Sequence, residues 1–256
     1  MAEVNTSNLS DAHTKQPNLS GRKAIVTGGT TGIGRAIAVL LASYGVKVFI
    51  CGRTPEHLKD ALERIIEVGD GSGISVDLAK SDDMKRFFTA ADEFLGGLDI
   101  AVINAAVPAD ALAETSEIDT RYQIEADFTS YLITAQEAAG RMKAGSDIVF
   151  IGSMSAVSQK GGSSIYVGAK RGVEGFATSL RQELAEKDIK VGLIEPGFTG
   201  ADFQYPDFPP EKQSELIRGS QMLRAEDIAV ATHFMLTQPR RTAISLMLVE
   251  TRLEHP

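Results

Sequence analysis

A tyrosine and a lysine stand four residues apart in the second half of the chain, at Tyr166 and Lys170. If this segment is helical, both side chains project from the same face. A free phenol has a pKa of about 10, so it exchanges protons near neutrality only where a cation such as an ammonium stabilises the phenolate. Ser153, thirteen residues before Tyr166, adds a hydroxyl. The three side chains are suited to moving a proton to or from an oxygen atom.

A glycine-rich turn, TGGTTGIG at 27–34, follows the first predicted strand and opens the first predicted helix. Gly28 permits a tight turn, Gly32 lets backbone N–H groups approach an anion, and Gly34 lets the helix pack closely on the strand. This order is typical of a dinucleotide pyrophosphate site. The same pattern alone also occurs in ordinary strand-to-helix loops.

The second predicted strand ends in Arg53 and Thr54, where an NAD site usually carries an acid. An arginine fork, helped by the threonine hydroxyl, instead suits a ribose 2′-phosphate. The sequence therefore predicts NADP in preference to NAD, with a solvated surface arginine as the alternative.

Composition restricts the class of protein. The chain has 256 residues, 43% of them apolar, and a formal net charge of −8, which favours one α/β domain and disfavours nucleic acid as a partner. The single cysteine, Cys51, forms no internal disulfide, and the four scattered histidines give no zinc spacing. Residues 1–20 resemble a flexible extension rather than a signal peptide. We expect a cytoplasmic protein with no membrane span and no metal.

Short apolar runs alternate with segments of helical period from residue 23 onward, as in a parallel sheet covered by helices on both faces. The residues 21–256 are therefore expected to form a single doubly wound α/β domain. The predicted strands are 23–27, 46–51, 73–76, 100–103, 147–151, 190–194 and 244–249. The predicted helices are 32–44, 55–68, 81–95, 119–143, 163–186 and 224–236.

These motifs together resemble the short-chain dehydrogenase/reductase family, over about residues 19–249. The resemblance implies a Rossmann-type sheet of seven parallel strands in the order 3-2-1-4-5-6-7. It also implies hydride transfer between a nicotinamide and a carbonyl or alcohol substrate, with Tyr166 as general acid/base. In that family Ser153 would hold the substrate oxygen and Lys170 the nicotinamide ribose.

The resemblance also assigns residues to the cofactor. Asp77 matches the aspartate that binds the adenine amine, and Pro196, Gly197 and Thr199 match the turn beside the nicotinamide carboxamide. The full predicted cofactor set is Gly28, Thr30, Thr31, Gly32, Ile33, Gly34, Arg53, Thr54, Asp77, Leu78, Asn104, Ala105, Tyr166, Lys170, Pro196, Gly197 and Thr199.

The chain departs from the family pattern at several positions. Asp127 stands where the family has a fourth catalytic residue, an asparagine, and the N-N-A-G turn reads Ile103-Asn104-Ala105-Ala106. The V-D-G-G close of many members is absent. For Asp127, a proton-relay role beside Lys170 and a purely structural role both stay open.

Pro196 precedes the segment 197–221, and Pro206, Pro209 and Pro210 interrupt it, which predicts a long irregular loop. We expect the segment 197–224 to bind substrate. Its aromatics Phe198, Phe203, Tyr205 and Phe208 suit either a pocket wall or an anchor. We expect a small or medium, largely apolar substrate, and a homo-oligomer, dimer or tetramer, through helices 119–143 and 163–186. The alternatives are an NAD-dependent alcohol dehydrogenase and a dinucleotide-binding sensor or scaffold without turnover.

Overall fold

The computed structural model describes residues 16–108, 111–159, 161–200 and 209–253. Its strands are β1 Lys23–Thr27, β2 Lys47–Gly52, β3 Asp70–Ser75, β4 Leu98–Ile103, β5 Met142–Ile151, β6 Lys190–Pro196, β7 Thr199–Gly200, β8 Leu223–Arg224 and β9 Leu246–Val249. The main sheet has seven parallel strands in the order β3-β2-β1-β4-β5-β6-β9, which confirms the predicted fold class. The seventh strand of the sheet is β9, because β7 and β8, which the sequence did not predict, form a separate two-stranded sheet.

The helices cover the sheet on both faces. Phe87, Tyr131 and Val173 pack on one face, and Ile37 and Ile228 on the other. Because both faces are covered, the central strands carry continuous apolar runs, such as residues 148–151 of β5, rather than alternating apolar and polar residues. The helices are α1 Gly32–Ser43, α2 Pro55–Ile66, α3 Ser81–Leu95, α4 Glu117–Ile124, α5 Ser130–Arg141, α6 Met154–Ser158, α7 Ser164–Ala185, α8 Pro210–Arg218 and α9 Ala225–Leu236.

The prediction of one regular helix over 119–143 was wrong, because the helical segment ends at Arg141 and is not α-helical throughout. One turn of π-helix, Glu125–Thr129, joins α4 to α5, and the chain enters β5 at Met142. Met142 pairs with Leu98 before the register shifts further along β5. Apolar residues at the end of α5 and the start of β5 fit either period, so the sequence pattern did not mark the change.

The predicted irregular loop contains a helix. Pro210 is the first residue of α8, where its missing N–H has no intrahelical partner to lose. The prolines therefore begin the helix instead of preventing it. Residues 201–208, with Phe203, Tyr205 and Phe208, lie outside the described residues.

The predicted extension 1–20 lies mostly outside the described residues, which begin at 16. Leu19, however, is 1% exposed and packs into the core. Cys51 is buried as well, and burial raises the pKa of its thiol to about 12, so it packs as a small apolar side chain. Among the described residues, no helix combines the length and the apolar character that crossing a membrane requires.

Candidate active site

The glycine turn is shaped by close contacts between β1, α1 and the end of β4. Gly28 has a φ of +63°, and a Cβ there would lie 2.8 Å from the Ala105 Cα. A Cβ on Gly34 would collide with the Gly28 carbonyl oxygen. Larger residues at either position would push the strand, helix and turn apart, so the glycines keep the turn compact.

Asn104 ties the end of β4 to this turn. Its backbone N–H donates to the Thr27 Oγ1 at 2.9 Å, and its Nδ2 donates to the Thr27 and Gly28 carbonyl oxygens at 3.1 and 3.3 Å. The Ala105 N–H also donates to the Thr27 hydroxyl, at 3.1 Å. Asn104 is therefore a link between β1 and β4 in this structure.

A cleft of about 300 Å³ runs along the carboxyl edge of the sheet, from the glycine turn to Tyr166 and Lys170. Most of the predicted cofactor residues line it: Gly28, Thr30, Thr31, Gly32, Ile33, Arg53, Thr54, Asp77, Leu78, Asn104, Ala105, Tyr166 and Lys170. The other predicted site residues, Gly34, Asp127, Ser153, Pro196, Gly197 and Thr199, do not belong to that lining. The prediction missed several lining residues, among them His57, Tyr122, Ala126, Ile151 and Gly152.

Tyr122 of α4 links two predicted cofactor residues across the cleft. The Arg53 Nη1 donates to the Tyr122 hydroxyl at 2.9 Å, and that hydroxyl donates to the Asp77 Oδ2 at 3.1 Å. Burial raises the pKa of Tyr122, and the Arg53 guanidinium opposes the rise. No local signal in the sequence marks this contact, because the three residues come from separate elements.

Lys170 is a buried cation on α7, 1% exposed. Its Nζ donates to the Tyr131 hydroxyl at 2.7 Å and to the Ile151 carbonyl oxygen at 3.3 Å. Burial lowers the pKa of Lys170 to about 8, while the charges of Asp127 and Glu195 act in the opposite direction. Lys170 is therefore mainly an ammonium ion near neutral pH, although its pKa of about 8 lies only slightly above that range.

Asp127 lies inside the π-helical turn and is fully buried. Its Oδ1 accepts the Val107 N–H at 2.7 Å, and its Oδ2 has no hydrogen-bond partner among the described residues. Burial raises the pKa of Asp127 to about 6, against the Lys170 ammonium, the Val107 N–H and the charge of Arg53. Asp127 therefore titrates much closer to neutrality than an exposed aspartate does.

Ser153 and Tyr166 occupy neighbouring elements at the same edge. Ser153 caps α6, with its Oγ accepting the Ser155 N–H at 3.1 Å, so its hydroxyl proton is left to donate elsewhere. Its own N–H donates to the Glu195 Oε2 at 2.6 Å. The half-buried Tyr166 lies on α7, with its ring centroid 5.5 Å from the Lys170 Nζ.

The Pro196-Gly197 turn follows β6 at this edge. The Gly197 N–H donates to the Val249 carbonyl oxygen at 2.8 Å. Thr199 is buried, and its Oγ1 donates to the Gly197 carbonyl oxygen at 2.9 Å. The turn is therefore held against the end of β9.

Comparison with known proteins gives a consistent result. The family model described as short chain dehydrogenase matches residues 22–212. Carbonyl reductase family member 4 of Xenopus laevis is 31% identical over 228 residues, which cover 87% of this chain and 94% of that protein. The human 3-oxoacyl-[acyl-carrier-protein] reductase is 30% identical over 226 residues, with the same coverage of 87% and 94%.

A solved structure has the same fold. It is a short chain dehydrogenase from Burkholderia cenocepacia J2315 in complex with NADP, with a TM-score of 0.82 and 27% identity, covering 91% of this chain and 98% of that one. The family match spans most of the sequence, and two reductases reach 30% identity or more over nearly their whole length. The chain therefore belongs to the short-chain dehydrogenase family of NAD(P)-binding oxidoreductases.

Proposed function

We propose that this protein is an NADP(H)-dependent oxidoreductase that interconverts a carbonyl compound and an alcohol, with Tyr166 as general acid/base. The observation that carries the proposal is the shared cleft: Tyr166 and Lys170 line the same groove as the glycine turn. A dinucleotide bound on the turn would extend toward the phenol and the amine. The names of the two reductase relatives support the carbonyl-reducing direction.

The residues present fit a dinucleotide. Gly28 and Gly34 let β1, α1 and the end of β4 pack closely around the turn, and Gly32, with a φ of +49°, opens α1 so that its first N–H groups suit a pyrophosphate. We assign Asp77 to the adenine amine, and the Pro196-Gly197 turn to the carboxamide. When bound, the dinucleotide supplies or accepts the hydride at its nicotinamide ring.

In our proposal, the side chains at the other end of the cleft handle the proton. Tyr166 donates its hydroxyl proton to the substrate oxygen during reduction and takes it back during oxidation. The Lys170 ammonium stabilises the resulting phenolate and binds the ribose hydroxyls. The Ser153 hydroxyl donates its proton to the substrate oxygen, while its own oxygen accepts the Ser155 N–H.

Asp127 supports Lys170 in this proposal. Its charge favours the ammonium form of Lys170, whose pKa burial lowers to about 8. Because the pKa of Asp127 is itself raised to about 6, it is mainly ionised at neutral pH. In the same proposal, the Asp127 Oδ2, which has no hydrogen-bond partner among the described residues, relays protons beside Lys170.

The preference for NADP rests on the end of β2. Arg53 and Thr54 line the cleft there, directly after the strand, at the place where an NAD site usually carries an acid. Arg53 is bonded to a neutral phenol rather than to a carboxylate, so its charge is available for a 2′-phosphate. The NADP complex of the Burkholderia relative supports the same preference. NAD use in the oxidative direction is the alternative.

The direct test follows nicotinamide absorbance with NADPH and a panel of ketones. We expect turnover by the unsubstituted protein and almost none by Tyr166→Phe, which keeps the ring and removes the ionisable hydroxyl. Binding of NADPH without turnover of any ketone, in a folded protein, would instead favour the sensor or scaffold.

The remaining expectations belong to the same proposal. We expect a small or medium, largely apolar substrate, with residues 197–224 as the substrate loop. A homo-oligomer, dimer or tetramer, and a cytoplasmic location stay predictions. Light scattering on the purified protein and fractionation of the source cells would test them.

A further inference from the structure

A buried acid of β6 holds the backbone that carries Ser153. Glu195 is 0% exposed, and its Oε2 accepts the Ser153 N–H at 2.6 Å. Beside it, the Gly152 N–H donates to the Ile194 carbonyl oxygen at 2.7 Å. The Gly152–Ser153 turn is therefore bonded to β6 by one backbone hydrogen bond and one bond to a carboxyl side chain.

Gly152 leaves the space that the Glu195 side chain occupies. A Cβ at position 152 would lie 2.8 Å from the Glu195 Cδ and Oε1, and 2.9 Å from its Oε2. Real Cβ atoms do not approach other atoms this closely, so an alanine at 152 would displace the carboxyl group. The glycine after β5 and the glutamate of β6 thus fit together, because the missing side chain of one leaves room for the side chain of the other.

This arrangement is costly for the fold. The Glu195 Oε1 is buried and has no hydrogen-bond partner among the described residues. Burial raises the pKa of Glu195 to about 7; the charge of Glu174 also raises it, while the Ser153 N–H, Lys170 and Arg171 lower it. A buried carboxyl group with an unsatisfied oxygen destabilises a protein, and an apolar side chain would fill this strand position at lower cost.

We propose that Glu195 is a positioning residue for Ser153: its carboxylate fixes the Gly152–Ser153 turn through the Ser153 N–H, and so aims the Ser153 hydroxyl at the substrate oxygen. This inference rests on the function proposed above, in which Ser153 binds that oxygen. A carboxyl group suits the task because either of its forms accepts the Ser153 N–H, and the ionised form accepts a shorter and stronger hydrogen bond than the neutral one. The Ser153 N–H that Glu195 anchors directly follows Gly152, which lines the cleft.

The decisive experiment is a double-mutant cycle with NADPH and a ketone that the protein reduces. We expect Glu195→Ala to lower kcat by about 10- to 100-fold, with the KM for NADPH changed by less than about twofold. In the Ser153→Ala background, the same substitution should cost less than about twofold more, because the serine it positions is gone. Equal losses in both backgrounds would overturn the inference.

A conservative variant separates positioning from packing. Glu195→Gln keeps the volume and an oxygen that accepts the Ser153 N–H, so we expect it to retain at least about a third of kcat. As a control for the loss of one negative charge, Glu183→Gln removes an exposed carboxylate on α7 and should leave kcat unchanged. A Gln variant as impaired as the Ala variant would contradict the anchoring role.

Amide hydrogen exchange tests the anchor without turnover. In the protein without substrate, the Ser153 amide should exchange at least about tenfold faster in Glu195→Ala than in the unsubstituted chain, with Glu195→Gln close to the latter. Unchanged exchange would overturn the inference even if the kinetics changed. Faster exchange in a protein that reduces no ketone would count against the proposed function while leaving the anchor in place.

Discussion

The amino and carboxyl edges of the main sheet both bury charged side chains, but they compensate them differently. At the amino edge, Asp147 of β5 is 3% exposed and forms ion pairs with Arg22, Arg240 and Lys190 at 2.7, 3.0 and 3.5 Å. One acid there meets three cations. These pairs join β1, β5, β6 and the segment before β9, which is a structural task.

At the carboxyl edge the balance is reversed. Lys170 is one cation near two acids, Asp127 and Glu195, and among the described residues neither acid forms an ion pair of the kind that holds Asp147. One buried oxygen of each of these two acids has no hydrogen-bond partner there; the Asp147 Oδ2 also lacks a hydrogen bond but is ion-paired with Arg22 at 2.7 Å. Burial moves the pKa of Lys170, Asp127 and Glu195 to about 8, 6 and 7. Groups poised near neutrality suit proton transfer, whereas fully paired charges suit stability. In the function proposed above, the carboxyl edge therefore holds the proton-transfer cluster, whereas the amino edge holds a structural one.

The largest expected effect is on catalysis at the carboxyl edge. Tyr166→Phe should lower kcat for ketone reduction by about 10²- to 10⁴-fold, because it removes the group that exchanges the proton. The dissociation constant for NADPH, measured by fluorescence titration, should stay within about threefold. A variant that keeps most of its kcat would assign the proton transfer to another group.

The second effect is on stability at the amino edge. Asp147→Asn should lower the free energy of unfolding by about 3 kcal/mol, since three cations lose their buried partner. Denaturant unfolding at neutral pH would measure the change, and kcat should be nearly unaffected. As a matched control, Asp92→Asn removes a half-exposed partner of Arg141 and should cost less than about 1 kcal/mol. A loss of kcat in Asp147→Asn would end the separation of the two edges.

The third effect is a gain in stability at the carboxyl edge, on substitution of Asp127. Burial raises the pKa of Asp127 from 3.8 to about 6, so ionising it costs the folded state stability. Each pKa unit corresponds to about 1.4 kcal/mol, and Asp127→Asn should therefore raise the free energy of unfolding at neutral pH by about 1–3 kcal/mol. Chemical denaturation measures this change. A lower free energy of unfolding in Asp127→Asn would contradict the prediction, because it would show that interactions in the fold compensate the burial of the carboxylate.

The smallest effect is on cofactor choice, at the exposed end of the cleft. Arg53→Ala should raise the KM for NADPH about tenfold and leave the KM for NADH within about twofold, because only the former carries the 2′-phosphate. Arg64→Ala, which removes an exposed arginine of α2 paired with Glu67, is the matched control. Equal changes for both nucleotides would instead support the NAD-dependent alternative.

The sequence predicted those parts whose cause is local. The bounds of β1 and α3 were predicted to the residue, because β-branched runs and a helical period mark them without help from neighbours. The glycine turn and the Tyr166–Lys170 spacing are also local, and both line the cleft. The start of β5 and the helix α8 were missed, since an apolar residue such as Met142 and a proline such as Pro210 each suit two structures.

The long-range part of the site was not predictable in the same way. Tyr122 reaches Arg53 and Asp77 only because α4 packs across the cleft. The proposed role of Glu195 depends on Gly152, which directly follows β5, although an acid inside the apolar run of β6 is visible in the sequence itself. The pKa shifts of Lys170 and Asp127 come first from burial, which no spacing in the sequence reports.

The most direct test of the difference between the two edges is the free energy of unfolding from about pH 4 to about pH 8, for Asp127→Asn and Asp147→Asn against the unsubstituted chain. For Asp127→Asn, we predict a small difference at about pH 4 that becomes more stabilising up to about pH 6 and then levels off, because in this range the native carboxyl group ionises in the unfolded chain but stays protonated in the fold. Asp147→Asn should be destabilising at about pH 7. Two variants that change stability in the same direction at neutral pH, or an Asp127→Asn difference that does not vary with pH, would contradict the account.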